Sequence, residues 1–415
     1  MPSNQGLSKS QTQTVVLIAV LLLIFFVSEL NFKTWWSQKD ALNSYPELAQ
    51  IPAHDSSFQT LALFFKELAE KKGAAYAFEV LKAAPLPPNT DLHLLGHTVG
   101  DVLYEQKGAE GITVCTQDFR NACSHAIVVG LLLEEGEGSL SLISDICRRA
   151  PGGSGAYTMC FHGLGHGVLA YSGYDLEKTI KLCEKTGTAA YGNREFGECV
   201  SGAVMELISG GFHNRELWEK AQTKYFKKND PLYPCTAAFM PEVALSLCYV
   251  YITPHLFNLA GADGGRPAPE DYRKAFPFCN ALSPNDKHNR DYCYGGFGKE
   301  FVVLAQDRDI RKIETMTREQ FLTVYDWCRL ADNRDGTAAC ITHAMNSVYW
   351  GGENNRSASL RFCGVIDDPG FRDVCFSNLI GNVGFYIKDQ DYKNAFCAEI
   401  PREYQTECLN RLKLD

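Results

Sequence analysis

Sixteen cysteines in a chain of 415 residues fall into eight neighbouring couples. No other feature limits the possible folds as much. The couples are 115/123, 147/160, 183/199, 235/248, 279/293, 328/340, 363/375 and 397/408, with partners 8 to 16 positions apart. No CxxC occurs, so a thioredoxin-like motif, a zinc ribbon and a CxxCH haem attachment are not indicated. An even number of cysteines at short, regular spacing reads as local disulfides, which persist in an oxidising compartment. Cytosolic thiols or Cys/His zinc sites are the competing reading. For loops of this size the chain-entropy model assigns each bond ~3 kcal/mol.

The couples also mark a repeat. The second cysteine opens an equivalent segment each time, as in NACSHAIVVGLL, TMCFHGLGHGVL, GECVSGAVMELI, DYCYGGFGKEFV, AACITHAMNSVY and DVCFSNLIGNVG. Ahead of the first cysteine stand DLEKTIKLC, DYRKAFPFC and REQFLTVYDWC, with apolar residues at three- and four-residue spacing. Turn formers such as APGGSG, SPNDKHN, ADNRDG and IDDPG lie between the cysteines. One unit is therefore helix, loop, helix, stapled at its turn. Second cysteines recur every 33 to 49 residues, a period that suits stacked helical hairpins.

The expected fold is all-α: an α/α solenoid of disulfide-stapled hairpins over residues 51–415. DLHLLGHTVGDVLYE, from Asp91, adds a unit in the same register without the cysteine. The least regular stretch, about 212–270, carries KYFKK, Pro231, Pro234, Pro241, Pro254 and GADGGRP. It is expected to be a longer unit or a hinge.

The hairpin period and runs such as GHGVLAYSGYDLEKTIKLCEK resemble the tetratricopeptide and Sel1-like helical repeats. The resemblance implies a fold of this class and a tendency to bind partners. It implies no activity. The polar positions along successive second helices suggest a concave surface for a protein or peptide ligand.

Residues 15 to 27 read VVLIAVLLLIFFV. Extended through Phe32, the apolar stretch approaches the ~20 residues that cross a bilayer. FFVSELNF lacks small residues at both positions a cleavage site requires, and Trp35 and Trp36 follow as interfacial aromatics do. The expected order is a short tail (1–13), a transmembrane signal anchor (14–32), a juxtamembrane linker (33–50) and an extracytoplasmic domain. A cleaved signal peptide is the alternative. The expected location is a single pass through the cell membrane, with the main domain periplasmic or extracellular. A net charge of −9 with no basic run of the kind that binds phosphate backbones argues against nucleic acid as a partner. Walker-type, strand-associated GxGxxG and HExxH motifs are missing.

Histidine carries the chemistry. TMCFHGLGHGVLAYSG, residues 158 to 173, places two histidines four apart among glycines, each of which costs roughly 1 kcal/mol against alanine inside a helix. His93 stands in register with His125 and His162, and His97 with His166, while Val129 takes the latter position in the middle unit. His-x-x-x-His sets both imidazoles on one helical face, ~6 Å apart along the axis, a spacing that can chelate a metal.

His93, His97, His125, His162 and His166 are accordingly the candidate ligands. They would hold zinc, copper or iron as an ion, or a haem. Regular stacking separates the outer two of the three helices by ~16–20 Å, so one ion reaches all five only if the array curves tightly. Further along the register, Met205 is a candidate soft copper ligand and Glu206 a base or hard ligand. A core methionine and a solvated glutamate are the plainer readings. Two function classes follow: a binding protein or enzyme organised around that metal or haem, with a metal-free catalytic site as a variant, and an anchored interaction scaffold in which histidines and disulfides serve structure alone. The glycines admit two readings, tight helix packing or close approach of the backbone to a cofactor.

Overall fold

Short polar residues begin many of the helices, as helix capping requires. Asp91 accepts from the Leu94 amide at 3.0 Å, Asp175 from Lys178 at 3.1 Å and Asp368 from Phe371 at 3.0 Å. Thr317 and Gln320 form a reciprocal capping box. A computed structural model describes residues 44–51, 57–210, 214–262, 267–351 and 356–413. The segment 14–32, where a membrane span is expected, lies outside them. Among the described residues no single helix is long and apolar enough to cross a membrane.

The α-helices, in chain order, are α1 (Phe58–Lys72), α2 (Ala74–Ala83), α3 (Leu92–Lys107), α4 (Asp118–Glu135), α5 (Leu140–Arg149), α6 (Gly153–Tyr171) and α7 (Leu176–Glu184). Next come α8 (Arg194–Ser209), α9 (Arg215–Tyr225), α10 (Glu242–Tyr251), α11 (Thr253–Phe257), α12 (Pro269–Ala275) and α13 (Lys287–Leu304). The last are α14 (Arg318–Cys328), α15 (Arg334–Gly351), α16 (Arg356–Val365), α17 (Pro369–Tyr386), α18 (Gln390–Glu399) and α19 (Arg402–Leu412). No β-strand is found among the described residues; Lys227 and Asp230 form one isolated bridge.

The helices alternate between two rows. The inner row runs α1, α3, α4, α6, α8, α10, α13, α15, α17, α19, each packed on the next. The outer helices lie against it and complete the hairpins. All eight cysteine couples are disulfides, with Cα–Cα distances of 5.5 to 5.8 Å. Each ties the inner helix of a unit to the end of the segment before it. No described cysteine is free.

Glycine sets how closely the inner helices approach. A Cβ on Gly165 of α6 would lie 2.0 Å from the Cys199 carbonyl oxygen of α8. One on Gly202 of α8 would lie 1.8 Å from the His162 carbonyl oxygen. The two backbones therefore touch, and any side chain at either position would push them apart. A Cβ on Gly163 would meet His125 at 2.4 Å, so α4 and α6 close up in the same way. The propensity cost of the glycines is offset by packing, which answers for the GLGHG run.

The row curls until early and late units meet. Arg311 donates to the carbonyls of Leu81 and Ala84 at 2.9 and 2.8 Å, and the Asn89 amide donates to Asp307 O at 2.6 Å. Arg120 of α4 reaches Ser347 of α15 at 3.3 Å, and Arg194 of α8 reaches Tyr386 of α17 at 3.5 Å. Side chains of non-neighbouring inner helices thus meet across the interior of the row.

Candidate metal centre

The five histidines read from the sequence form one contiguous cluster. His93 and His97 project from α3, His125 from α4, and His162 and His166 from α6. Ring centroids lie 4.7 Å apart for His93–His97, 5.3 Å for His93–His125 and 5.5 Å for His97–His125. His125 is 5.8 Å from both His162 and His166, and these two are 5.3 Å from each other. Even His93 and His166, from the two outer helices of the three, come within 6.3 Å. Long side chains pointing into a glycine-narrowed gap close the distance that regular helix spacing would leave.

The tightest part is His93, His97 and His125. One ring nitrogen from each lies within 4.8 Å of the others, a group that can hold a metal ion. The Nε2 atoms of His93 and His97 are 3.2 Å apart. His125 is 1% exposed, and neither of its ring nitrogens finds a hydrogen-bond partner among the described residues. A buried polar atom left this way costs about 1–3 kcal/mol, a cost that a ligand bound there would remove.

The surrounding partners fix ring orientation as they do around metal-bound histidines. His93 Nδ1 donates to the Phe119 carbonyl at 2.6 Å, which leaves Nε2 as the lone-pair atom. His166 Nδ1 donates to Glu206 Oε2 at 3.2 Å, and Tyr174 donates to Glu206 Oε1 at 3.0 Å. His166 Nε2 is buried without a partner. Glu206 is thus not a solvated glutamate: it is buried and orients a histidine. Met205 is not plain core either, since its sulfur lies 3.4 Å from His162 Nε2. His343, out of register in the sequence, stays outside the cluster beside Tyr292 at 4.8 Å.

Phe119 is a partner that sequence reasoning missed. Phe119, Arg120 and Asn121 have φ of +53°, +57° and +64°, a left-handed turn at the start of α4. Such a conformation costs Phe119 and Arg120 roughly 1–2 kcal/mol each, and Asn121 less. It aims the Phe119 carbonyl at His93 and sends Arg120 into the interior. No propensity rule picks out these three residues.

A cavity of about 60 Å³ opens beside the cluster, lined by Asp91, His93, His97, His166, Met205 and Glu206. It has room for a few waters or a small ligand.

Burial pushes His93 down to about 4 and holds His125 and His162 well below the ordinary histidine value. These rings are therefore neutral at pH 7, the state in which imidazole ligates a metal. Outside the cluster, burial also pushes His255 and His343 down to about 4. In each case the folded value lies below the unfolded value of 6.5. The unfolded chain then binds more protons between those limits. The stability these histidines carry is present above pH 6.5 and is lost as pH falls toward 4. Each unit of depression is worth about 1.4 kcal/mol. Thermal unfolding of the metal-free protein should therefore move to lower temperature between pH 7 and pH 5. An unchanged midpoint across that range would contradict the assignment.

The class that fold and site define is a disulfide-stapled helical array enclosing a histidine cluster able to hold a metal ion. Comparison of the chain with protein-family models, with curated proteins and with solved structures gave no match.

Proposed function

We propose that this chain is an extracytoplasmic metal-binding protein, held at a membrane by segment 14–32, whose His93/His97/His125 position takes a transition-metal ion of the zinc, copper or iron class. The carrying observation is His125, buried with two unpartnered nitrogens between histidines whose ligand atoms converge. Three imidazoles with a cavity on one side is the donor set of a metal that keeps an exchangeable position for a small ligand. Eight disulfides support an oxidising environment.

An ion is favoured over haem on size. The cavity beside the cluster has room for a few waters, the scale of an ion and its exchangeable ligand. The scaffold reading makes the histidines structural, and structural buried polar groups are hydrogen-bonded; His125 is not. A peptide ligand on the inner face would have to displace the Arg120–Ser347 and Arg194–Tyr386 contacts.

The test is elemental analysis of the full-length protein, purified in detergent without chelator from metal-supplemented medium. About one equivalent of metal is expected in the wild type, and a large loss in His97→Ala. A wild type that carries no stoichiometric metal and takes up none of the zinc, Cu(II) or Fe(II) added to it would overturn the reading.

A further inference from the structure

The three-histidine position leaves His162, His166 and Met205 unexplained, and their hydrogen bonding singles them out. Ser201 Oγ lies 2.8 Å from the Glu198 carbonyl oxygen. An oxygen at that distance from a carbonyl must donate its single proton there. Ser201 Oγ is then an acceptor toward His162 Nδ1, 2.9 Å away, so His162 carries its proton on Nδ1 and a lone pair on Nε2. That lone pair faces Met205 Sδ at 3.4 Å. Sulfur offers only lone pairs, so two electron-pair donors face each other with no proton between them. His166, one turn along α6, presents a second buried ring nitrogen. Its Nδ1 is tied to Glu206, and its Nε2 is buried without a partner.

We propose that His162 Nε2, His166 Nε2 and Met205 Sδ form a second metal position, a soft site for Cu(I), beside the three-histidine position. A thioether with imidazoles selects Cu(I) over harder ions. Met205 also lines the cavity together with His166, so an ion entering there reaches both. The plainer reading is an N–H···S hydrogen bond from His162 to Met205. It requires the other imidazole tautomer, and Ser201 has already given its proton to Glu198. The proposal rests on the cluster being a metal centre, and the experiment separates the two.

The full-length protein is titrated anaerobically with Cu(I), maintained by ascorbate, against bicinchoninate. Two equivalents are expected for the wild type and one each for Met205→Leu and for the His93→Ala/His97→Ala double variant. Leucine conserves the methionine volume and is tolerated in packed sites. X-ray absorption provides a readout independent of any variant. Because every described cysteine is in a disulfide, a sulfur neighbour at ~2.3 Å reports methionine. It should be present in the wild type and the double histidine variant and lost in Met205→Leu. If the wild type binds one Cu(I) without sulfur, retained in Met205→Leu and lost in the histidine double variant, the second position is overturned and the three-histidine position stands. If one Cu(I) with sulfur survives the double variant and is lost in Met205→Leu, the soft site stands and the three-histidine position fails for copper. A wild type that binds no Cu(I) overturns this proposal, while the zinc and iron arms of the elemental analysis decide the other.

Discussion

His125→Leu should raise the unfolding temperature of the metal-free protein and abolish the further rise that metal gives the wild type. The two effects have one origin. Both ring nitrogens of His125 are buried and unpartnered, and each such atom costs about 1–3 kcal/mol when nothing satisfies it. Leucine is close to histidine in size and has no polar atom, so without metal the variant gains a few degrees. With metal the balance reverses. A ligand at a hundred times its dissociation constant stabilises the folded state by about 2.7 kcal/mol, and this increment requires His125. Thermal unfolding of both proteins, in chelator and in excess zinc, gives all four values. A variant that is less stable in chelator, yet still responds to zinc as the wild type does, would show that His125 is a packing residue.

Alanine at Gly165 and alanine at Gly155 should act with opposite sign, although both glycines lie on α6. At Gly155 a Cβ has nothing within 4 Å, so the substitution gains helix propensity, up to about 1 kcal/mol. At Gly165 the Cβ would sit 2.0 Å from Cys199 O and 2.8 Å from Ala203 N. Both atoms are backbone and cannot rotate away, so α8 as a whole must retreat. Overpacking of this kind costs at least ~1–3 kcal/mol. Here it also breaks the His162–Ser201 and His166–Glu206 contacts, which join the same two helices. Gly165→Ala is expected to lose folded yield and metal together, and Gly155→Ala to keep both with a higher midpoint. Similar midpoints for the two variants would show that the helices tolerate separation and that the glycines are incidental.

Much of the architecture is legible along the chain. Cys147 and Cys160, or Cys328 and Cys340, pair within their own hairpin, so their spacing carries the information. Asp91, Asp175 and Asp368 start helices by bonding amides three residues on. The same holds for the register of the histidines, because a helix puts residues four apart on one face whatever surrounds it.

The completed site is legible only in part. Glu206 and Met205 stand out in the sequence, but their partners lie in other units. Glu206 meets His166 and Tyr174 from more than thirty residues away, and Ser201 meets His162 across two helices. The left-handed turn at Phe119–Asn121 runs against the local preference of Phe119 and Arg120; tertiary packing holds it.

The sequence by itself determined the hairpin, its staple and the helical face on which each histidine lies, because these depend on separations of a few residues and on helix periodicity. Tertiary structure alone decided that the rings of α3, α4 and α6 would converge, that His125 would be left without a hydrogen bond, and that Arg120 and Arg194 would reach α15 and α17. These outcomes depend on the small rotation added at every unit and on backbones brought into contact at Gly165 and Gly202. Ångström changes at such contacts accumulate along the row, and no local pattern records their sum.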